Sequence, residues 1–130
     1  MNGKRFLLDT NIVIGLFANE QAIINNIMSS ETIFIPTIVI GELYYGAEQS
    51  SKKNENIKKI DEFASNSFVL ECSTETAKQY GSVKCKLKLK GTPIPENDIW
   101  IAAMAIQNDL TLITRDKHFN HVEGLYIEKW

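Results

Sequence analysis

Residues 5–17 read RFLLDTNIVIGLF, and this stretch decides the fold class. Its first part, Arg5–Leu8, predicts a short buried strand. The strand ends at an Asp-Thr-Asn triplet, residues 9–11, whose side chains are good helix caps, so a helix is expected over residues 12–17. A strand that passes directly into a helix is the start of an α/β unit.

The rest of the chain continues this alternation of short apolar runs and helical stretches. Further strands are expected at residues 32–35, 68–70, 111–114 and 125–128. Further helices are expected at residues 20–28, 38–49, 57–64, 74–90 and 97–109. Strands separated by helices imply a mostly parallel sheet that is covered on both faces.

The boundary residues of two helices carry their own signals. Thr37, after Pro36, is expected to cap the helix that follows it, and Ser73 is expected to cap the long one, which Gly91 would end. Residues 84–90 alternate Lys with Cys or Leu, a period of two that normally indicates a strand. Because the apolar residues just upstream repeat at helical spacing, we predict a helix here, with its lysines on two sides.

Length and composition limit the class of protein. A chain of 130 residues with 44% apolar and 23% charged residues predicts one globular domain over residues 1–130. No apolar run approaches the ~20 residues that span a bilayer, and Asp9 and Asn11 break the apolar start, so a cytoplasmic protein without membrane contact is expected. Two cysteines without a CxxC motif predict reduced thiols.

The net charge argues against a protein that binds nucleic acid through bulk positive charge. Sixteen acids against fourteen basic residues give −2. If four of the acids held a metal ion, twelve would remain against fourteen basic residues. That balance of +2 would still attract phosphates.

Four acids stand in apolar surroundings. Asp9 and Asp116 each follow a predicted strand, at the end where open α/β sheets bind ligands. Glu42 is the one charged residue in the segment 38–47, and Asp98 lies at the start of a helix that is apolar on almost every side. If the parallel topology brings them together, they form one acidic pocket.

Each acid also has a purely structural interpretation. Asp9 can cap a helix, Asp98 can favour a helix start, and Asp116 can stabilise a turn. Glu42 could pair with Arg5 or Arg115, since an unpaired buried carboxylate costs several kcal/mol. As a set, however, carboxylates ~4 Å apart repel by about 4 kcal/mol at an effective dielectric of 20. A cation or protons must neutralise such a pocket, and an all-oxygen set suits Mg²⁺ or Mn²⁺ rather than zinc.

Four motifs around these acids resemble those of PIN-domain ribonucleases, and in particular the VapC-type toxins of bacterial toxin–antitoxin modules. The motifs are LLDTN at 7–11, GELYYG at 41–46, NDIWIAA at 97–103 and LITRD at 112–116. The segment GTPIP at 91–95 and the sequence after Phe119 also fit the pattern. The resemblance covers nearly the whole chain, with its motifs in the family's order.

The resemblance implies a three-layer α/β/α sandwich and a Mg²⁺- or Mn²⁺-dependent endoribonuclease that cleaves RNA, often transfer RNA. It also implies a cognate antitoxin, whose tail occupies a groove near the pocket, and a homodimer. Carried over by motif, the metal-holding catalytic acids are Asp9, Glu42, Asp98 and Asp116. Thr114 matches the polar residue that the family has two positions before the last acid. Asn11 is expected to support the metal-holding acids or to cap a helix.

Other residues near these motifs have less defined roles. Arg115 is the best single candidate for phosphate contact, although pairing with a pocket acid is equally consistent with its position. His118 and His121 form no set with a serine and an acid, and they are interpreted as surface loop residues, with substrate contact as the secondary interpretation. Apolar side chains in segments 12–17 and 38–45 exceed what a small core needs, and a homodimer would cover the surplus.

Three rival functions do not match the residues. A haloacid-dehalogenase-type phosphatase needs an Asp where Asn11 stands, and a Rossmann cofactor site needs a glycine-rich turn after the first strand. A phosphorylated receiver domain needs an acidic pair at the first strand and a late strand-end Lys. One alternative stays open: a PIN-like module that binds RNA or an antitoxin without cleaving.

Overall fold

The structure, a computed structural model, describes residues 5–130. This range contains five strands and six α-helices. The strands are β1 (Arg5–Leu8), β2 (Thr32–Pro36), β3 (Phe68–Leu70), β4 (Thr111–Ile113) and β5 (Ile127–Glu128). The helices are α1 (Thr10–Phe17), α2 (Gln21–Met28), α3 (Thr37–Glu48), α4 (Lys53–Ser65), α5 (Thr74–Lys90) and α6 (Glu96–Gln107). A short 3-10 helix, Lys117–His121, connects β4 to β5. The first four residues of the apolar start lie outside the described range.

The strands form one sheet with the order β3-β2-β1-β4-β5. Every pairing among the described strands is parallel, with Leu7 of β1 opposite Phe34 of β2 on one side and Leu112 of β4 on the other. The chain therefore starts in the middle of the sheet, builds outward through β2 and β3, and crosses back to add β4 and β5. The α/β class and the parallel sheet are confirmed.

Helices pack on both faces of this sheet and complete a three-layer α/β/α sandwich. The central strand is buried, with Leu7 fully inaccessible and Leu8 nearly so. Residues 101–105 of α6 are also completely buried, as expected for a helix that is apolar on almost every side. The core thus fills the space between the middle strands and the helices that carry the acidic motifs.

The long helix α5 begins and ends as its sequence predicts. Ser73 accepts a hydrogen bond from the backbone N–H of Thr76, whose hydroxyl accepts one from the Ser73 N–H. Gly91 ends the helix with a φ of 71°, a left-handed conformation that suits glycine. The alternating lysines of residues 84–90 lie in the last turns of this helix, and Lys88 and Lys90 there complement the helix dipole.

Two local expectations were wrong. Helix α4 begins at Lys53 rather than at residue 57, because polar residues without an apolar period still make a first turn, and Glu55 stabilises that end. Thr37 does not cap α3: Pro36 occupies the cap position. The Thr37 hydroxyl instead donates to the carbonyl of Leu70, which ties the start of α3 to the end of β3.

The apolar surplus expected in segments 12–17 and 38–45 is smaller than predicted. Most of these side chains contribute to the core, and two remain largely exposed: Ile14, at 54%, and Tyr45, at 67%. Tyr44 packs against the core, so one tyrosine of the pair is inside and the other outside, as expected. The homodimer stays a prediction.

Two further expectations concern cysteines and membranes. Cys72 and Cys85 are both free thiols on the surface. Across the part of the chain that the structure describes, no helix has the length and apolar character needed to cross a bilayer.

Phe119 of the 3-10 helix is fully buried, so its ring anchors the loop that follows β4. We expect Phe119→Ala to lower the free energy of unfolding by about 3–5 kcal/mol, because it removes a large core side chain and leaves a cavity. Urea unfolding followed by circular dichroism measures the change. Phe68→Ala is the matched control, since Phe68 is 68% exposed. Equal losses in the two variants would contradict this anchoring role.

Candidate functional site

The candidate site lies at the carboxyl ends of β1 and β4. These strands are adjacent, with Leu8 opposite Ile113, and the backbone N–H of Asp9 donates to the carbonyl of Ile113 at 3.0 Å. After β1 the chain leaves toward β2, whereas after β4 it leaves toward β5 on the other side. Connections that diverge in this way open a crevice at the strand ends, where α/β folds bind ligands.

Asp9 is the buried centre of the crevice, with only 5% of its surface exposed. Its Oδ1 accepts the backbone N–H of Thr10 at 2.8 Å, so it does cap α1. Its Oδ2 accepts the hydroxyl of Thr114 at 2.7 Å and the side-chain amide of Asn11 at 3.3 Å. The capping role and the place in the pocket therefore coexist in one residue.

Thr114 and Asn11 hold the two strand ends in register. The Thr114 hydroxyl, which donates to Asp9, also accepts the backbone N–H of Asp116 at 3.0 Å. Asn11 donates to Asp9, and its Oδ1 accepts the backbone N–H of Arg115 at 3.2 Å. Both side chains thus join the end of β1 to the loop after β4, and their role in supporting the site stays a prediction.

Glu42 enters the site from α3 and is half-buried. Its Oε1 accepts the hydroxyl of Thr10 at 2.7 Å. The alternative that Glu42 pairs with Arg115 is wrong, because Arg115 bonds Glu20 instead. Glu42 therefore lies next to the Asp9 corner, connected through the first residue of α1.

Asp98 and Asp116 meet on the open side of the crevice, and His118 lies between them. Asp98 is in the first turn of α6, and Asp116 caps the 3-10 helix by accepting the backbone N–H of His118 at 2.9 Å. The imidazole Nδ1 of His118 is 3.2 Å from Asp98 Oδ2 and 3.0 Å from Asp116 Oδ1. Potential ligand atoms of these three residues all lie within 4.8 Å of one another, which is close enough to share a metal ion.

Crowding of carboxylates changes the acidity of the site. Burial is the main cause that raises the pKa of Asp98 to about 6; the charges of Asp9 and Asp116 act in the same direction, and the hydrogen bond from His118 opposes them. Burial also raises the pKa of Asp9, opposed by hydrogen bonds from Thr114 and the Thr10 backbone, with Glu42 and Asp116 adding repulsion. Asp9 thus interacts electrostatically with each of the other three acids.

The four predicted acids are therefore grouped unevenly. Asp98 and Asp116 form a close set with His118, and buried Asp9 lies behind them within electrostatic range. Glu42 is beside Asp9 and outside that close set.

Arg115 does not pair with an acid of the pocket. Its guanidinium makes a two-point ion pair with Glu20, Nη2 to Oε1 at 2.7 Å and Nη1 to Oε2 at 3.2 Å. Its Nε donates to the carbonyl of Trp130 at 3.1 Å. The hydrogen bond from Arg115 lowers the pKa of Glu20. Phosphate contact by Arg115 stays a prediction, and it would require breaking this pair.

His118 is the residue that sequence reasoning missed. Its side chain is 52% exposed, as expected of a surface loop residue, but its ring nitrogen contacts two pocket acids. The spacing Asp116-x-His118 directly after a strand was an available signal, because a tight turn there brings residue 118 back toward the end of the strand. The sequence could not supply the second contact, since Asp98 comes from a separate helix.

Comparison with known proteins identifies the family. Residues 6–125 match the model of the PIN domain. The chain belongs to the PIN-domain family. Ribonuclease VapC2 of Rickettsia felis is 35% identical over 130 residues, which cover 96% of this chain and 97% of the relative. The tRNA(fMet)-specific endonuclease VapC of Salmonella typhimurium is 33% identical over 129 residues, with 97% and 98% covered.

Solved structures confirm the same relationship for the fold. The crystal structure of DNA-bound VapBC from Salmonella typhimurium matches this PIN domain with a TM-score of 0.90 and 30% identity, covering 100% of this chain and 99% of that one. VapBC2 of Rickettsia felis, bound to a DNA fragment from its promoter, matches with a TM-score of 0.89 and 33% identity, covering 96% and 98%. The resemblance to VapC-type proteins found in the sequence motifs is confirmed.

The raised pKa of Asp98 predicts how stability depends on pH. Because the folded-state pKa, about 6, exceeds the ordinary 3.8, the stability that this carboxyl contributes is complete below about pH 4 and is lost as pH rises through 6. We expect Asp98→Asn to leave stability unchanged near pH 4 and to raise it by about 1–2 kcal/mol at pH 7, after allowance for solvent screening.

Urea unfolding of both proteins in chelator, between pH 4 and 7, measures the difference. Glu62→Gln is the control, because Glu62 is an exposed acid of α4 outside the site. A difference between wild type and Asp98→Asn that shrinks as pH rises would contradict the assignment.

Proposed function

We propose that this PIN domain is a Mg²⁺- or Mn²⁺-dependent endoribonuclease that acts as the toxin of a toxin–antitoxin pair. The observation that carries the proposal is the meeting of Asp98, Asp116 and His118 within 4.8 Å, in front of the buried Asp9. The ribonuclease and endonuclease names of full-length relatives support RNA as the substrate, with transfer RNA as the first candidate.

The donor set fits a divalent ion. Carboxylate oxygens predominate, as Mg²⁺ and Mn²⁺ prefer, and no cysteine takes part. Burial is the main cause of the raised pKa of Asp9 and of Asp98, and neighbouring carboxylates act in the same direction, so a bound cation would stabilise the ionised forms of both. We assign Asp98 and Asp116 to hold the ion from the open side and Asp9 from the buried side, with Glu42 acting beside Asp9.

Phosphodiester cleavage needs an activated water and stabilisation of the charge that develops on the phosphate. A bound divalent ion supplies both, by lowering the pKa of water and by polarising the phosphate oxygens. Thr114 and Asn11 keep Asp9 oriented through direct hydrogen bonds. Thr10 does the same for Glu42, which leaves the second carboxylate oxygen, Oε2, available to orient a water.

A partly apolar cleft beside Glu42 is suited to a protein segment. Its volume is about 280 Å³, and Glu42 is the one of the four acids that lines it. Its large apolar lining residues are Ile14, Phe17, Leu43 and Ile60, and its polar ones are Thr10, Glu42, Asn56 and Lys59. Because the matching solved structures are VapBC complexes, we assign this cleft to a segment of a cognate antitoxin. An apolar partner would cover Ile14, which is 54% exposed.

The nuclease proposal is tested with total RNA and purified protein, in Mg²⁺, in Mn²⁺ and in chelator. We expect cleavage with metal and none with chelator. Asp9→Asn and Asp98→Asn should each reduce the rate about a hundredfold or more, since several kcal/mol of charge stabilisation would be lost. Sequencing the fragment ends identifies the substrate.

Glu62→Gln, at an exposed acid outside the crevice, controls for general effects of removing one charge. Calorimetry with Mg²⁺ and Mn²⁺ is measured alongside. Metal binding by the folded wild type without cleavage of any RNA would favour the alternative, a PIN-like module that binds RNA or an antitoxin. Cleavage that survives both substitutions would contradict the site assignment.

The cleft assignment predicts an effect on partner binding that is separate from metal. We expect Ile14→Glu to weaken capture of the cognate antitoxin by about tenfold or more, because a charge would be buried against an apolar segment. Metal affinity measured by calorimetry should stay at the wild-type value. Met28→Glu is the control, since Met28 is 80% exposed and is not part of this cleft. Equal weakening by both substitutions would argue against the cleft.

A further inference from the structure

His118 contributes nitrogen to a site that is otherwise built from oxygen. Its Nδ1 faces the two carboxylates at 3.0 and 3.2 Å, while 52% of the side chain is exposed to solvent. Among the residues that the structure describes, Asp98, Asp116 and His118 are the group whose ligand atoms approach closely enough to share one ion.

The backbone holds this imidazole in place. The N–H of His118 donates to Asp116 Oδ1 at 2.9 Å, so the residue is fixed to the carboxylate that its ring also contacts. The next residue, Phe119, is fully buried in the core. The backbone of His118 is thus fixed by a capping hydrogen bond and by the buried neighbour Phe119, and this places its ring beside the two carboxylates.

The distances fit neighbouring ligands of one ion. Bonds of ~2.1 Å in octahedral geometry place adjacent ligand atoms ~3.0 Å apart. The separations of His118 Nδ1 from Asp116 Oδ1 and Asp98 Oδ2 are 3.0 and 3.2 Å. The three side chains could therefore occupy adjacent positions around an ion with little rearrangement.

We propose that His118 supplies a nitrogen ligand through Nδ1 and biases the acidic site toward first-row transition ions, such as Mn²⁺, over Mg²⁺. This inference rests on the divalent-metal site proposed above. Imidazole is a good ligand for transition ions, whereas Mg²⁺ prefers oxygen and gives up its water reluctantly. The histidine therefore acts on which ion is selected, in addition to the acids that hold it.

Mn²⁺ is the probe for the ligand itself. Pulsed electron paramagnetic resonance on the Mn²⁺-loaded, tag-free protein should show nitrogen modulation from a coordinated imidazole. The sequence has two histidines, so the signal must come from His118 or His121. We expect it to persist in His121→Ala and to vanish in His118→Ala. His121 is a matched control because it is an exposed residue of the same 3-10 helix.

Calorimetry measures the selectivity. We expect His118→Ala to lower the Mn²⁺ affinity by about tenfold or more, as for loss of a group that supports a metal site, and the Mg²⁺ affinity by no more than about threefold. His121→Ala should change neither affinity. The ratio of the two affinities is the deciding quantity, since a general loss of structure would reduce both alike.

Three results would overturn the proposal in distinguishable ways. Mn²⁺ binding by the wild type without nitrogen modulation would exclude His118 as a ligand and leave the acidic metal site intact. Tighter binding of both ions by His118→Ala would show that the imidazole competes with the ion for the carboxylates. Failure of the folded wild type to bind either ion would refute the proposed metal site together with this inference.

Discussion

The parallel pairing of β1 with β4 is the constraint on which the rest of the site depends. It places Asp9 next to Ile113 and lets the Thr114 hydroxyl bond Asp9 across 105 residues of sequence. One hydroxyl then serves both strand ends, since Thr114 also accepts the N–H of Asp116. The helices bring Asp98 and Glu42 to the same edge. A shift of one residue between these strands would turn Thr114 away from Asp9 and separate the acids.

The buried carboxylates of the site oppose folding, and other interactions in the molecule offset that cost. Like charges and burial make Asp9 and Asp98 harder to ionise, which opposes folding at neutral pH. Hydrogen bonds from Thr10 and Thr114 offset part of this cost for Asp9, and the hydrophobic core supplies the rest. Carboxylates buried together at a crevice, beside a packed apolar core, are the arrangement from which the functional proposal was argued.

Much of the fold was predictable because local signals and tertiary packing agree. The strand at Arg5–Leu8, the cap at Ser73 and the stop at Gly91 follow from residue type and spacing. At residues 84–90 the alternation of Lys with Cys or Leu favours a strand, whereas the helical spacing of the apolar residues just upstream indicates the helix that is observed. Helix α4 began earlier than expected because its first turn makes no apolar pattern. The four acids stand out in the sequence as charged residues in apolar segments. Two other contacts depend on tertiary distances, which the spacing of residues along the chain does not determine: the pairing of Arg115 with Glu20 and the approach of His118 to Asp98.

Asp9 and Thr114 are far apart in the sequence, so the order of protein synthesis decides when the two residues can meet. A ribosome that has released only the first hundred residues has exposed three of the acids but neither β4 nor the buried Phe119. The partly made chain cannot close the crevice, because the strand that completes it arrives near the end of synthesis. Contacts between such distant segments also form late in folding. A chain that ends before β4 lacks Thr114 and Asp116 and therefore cannot form the crevice described above.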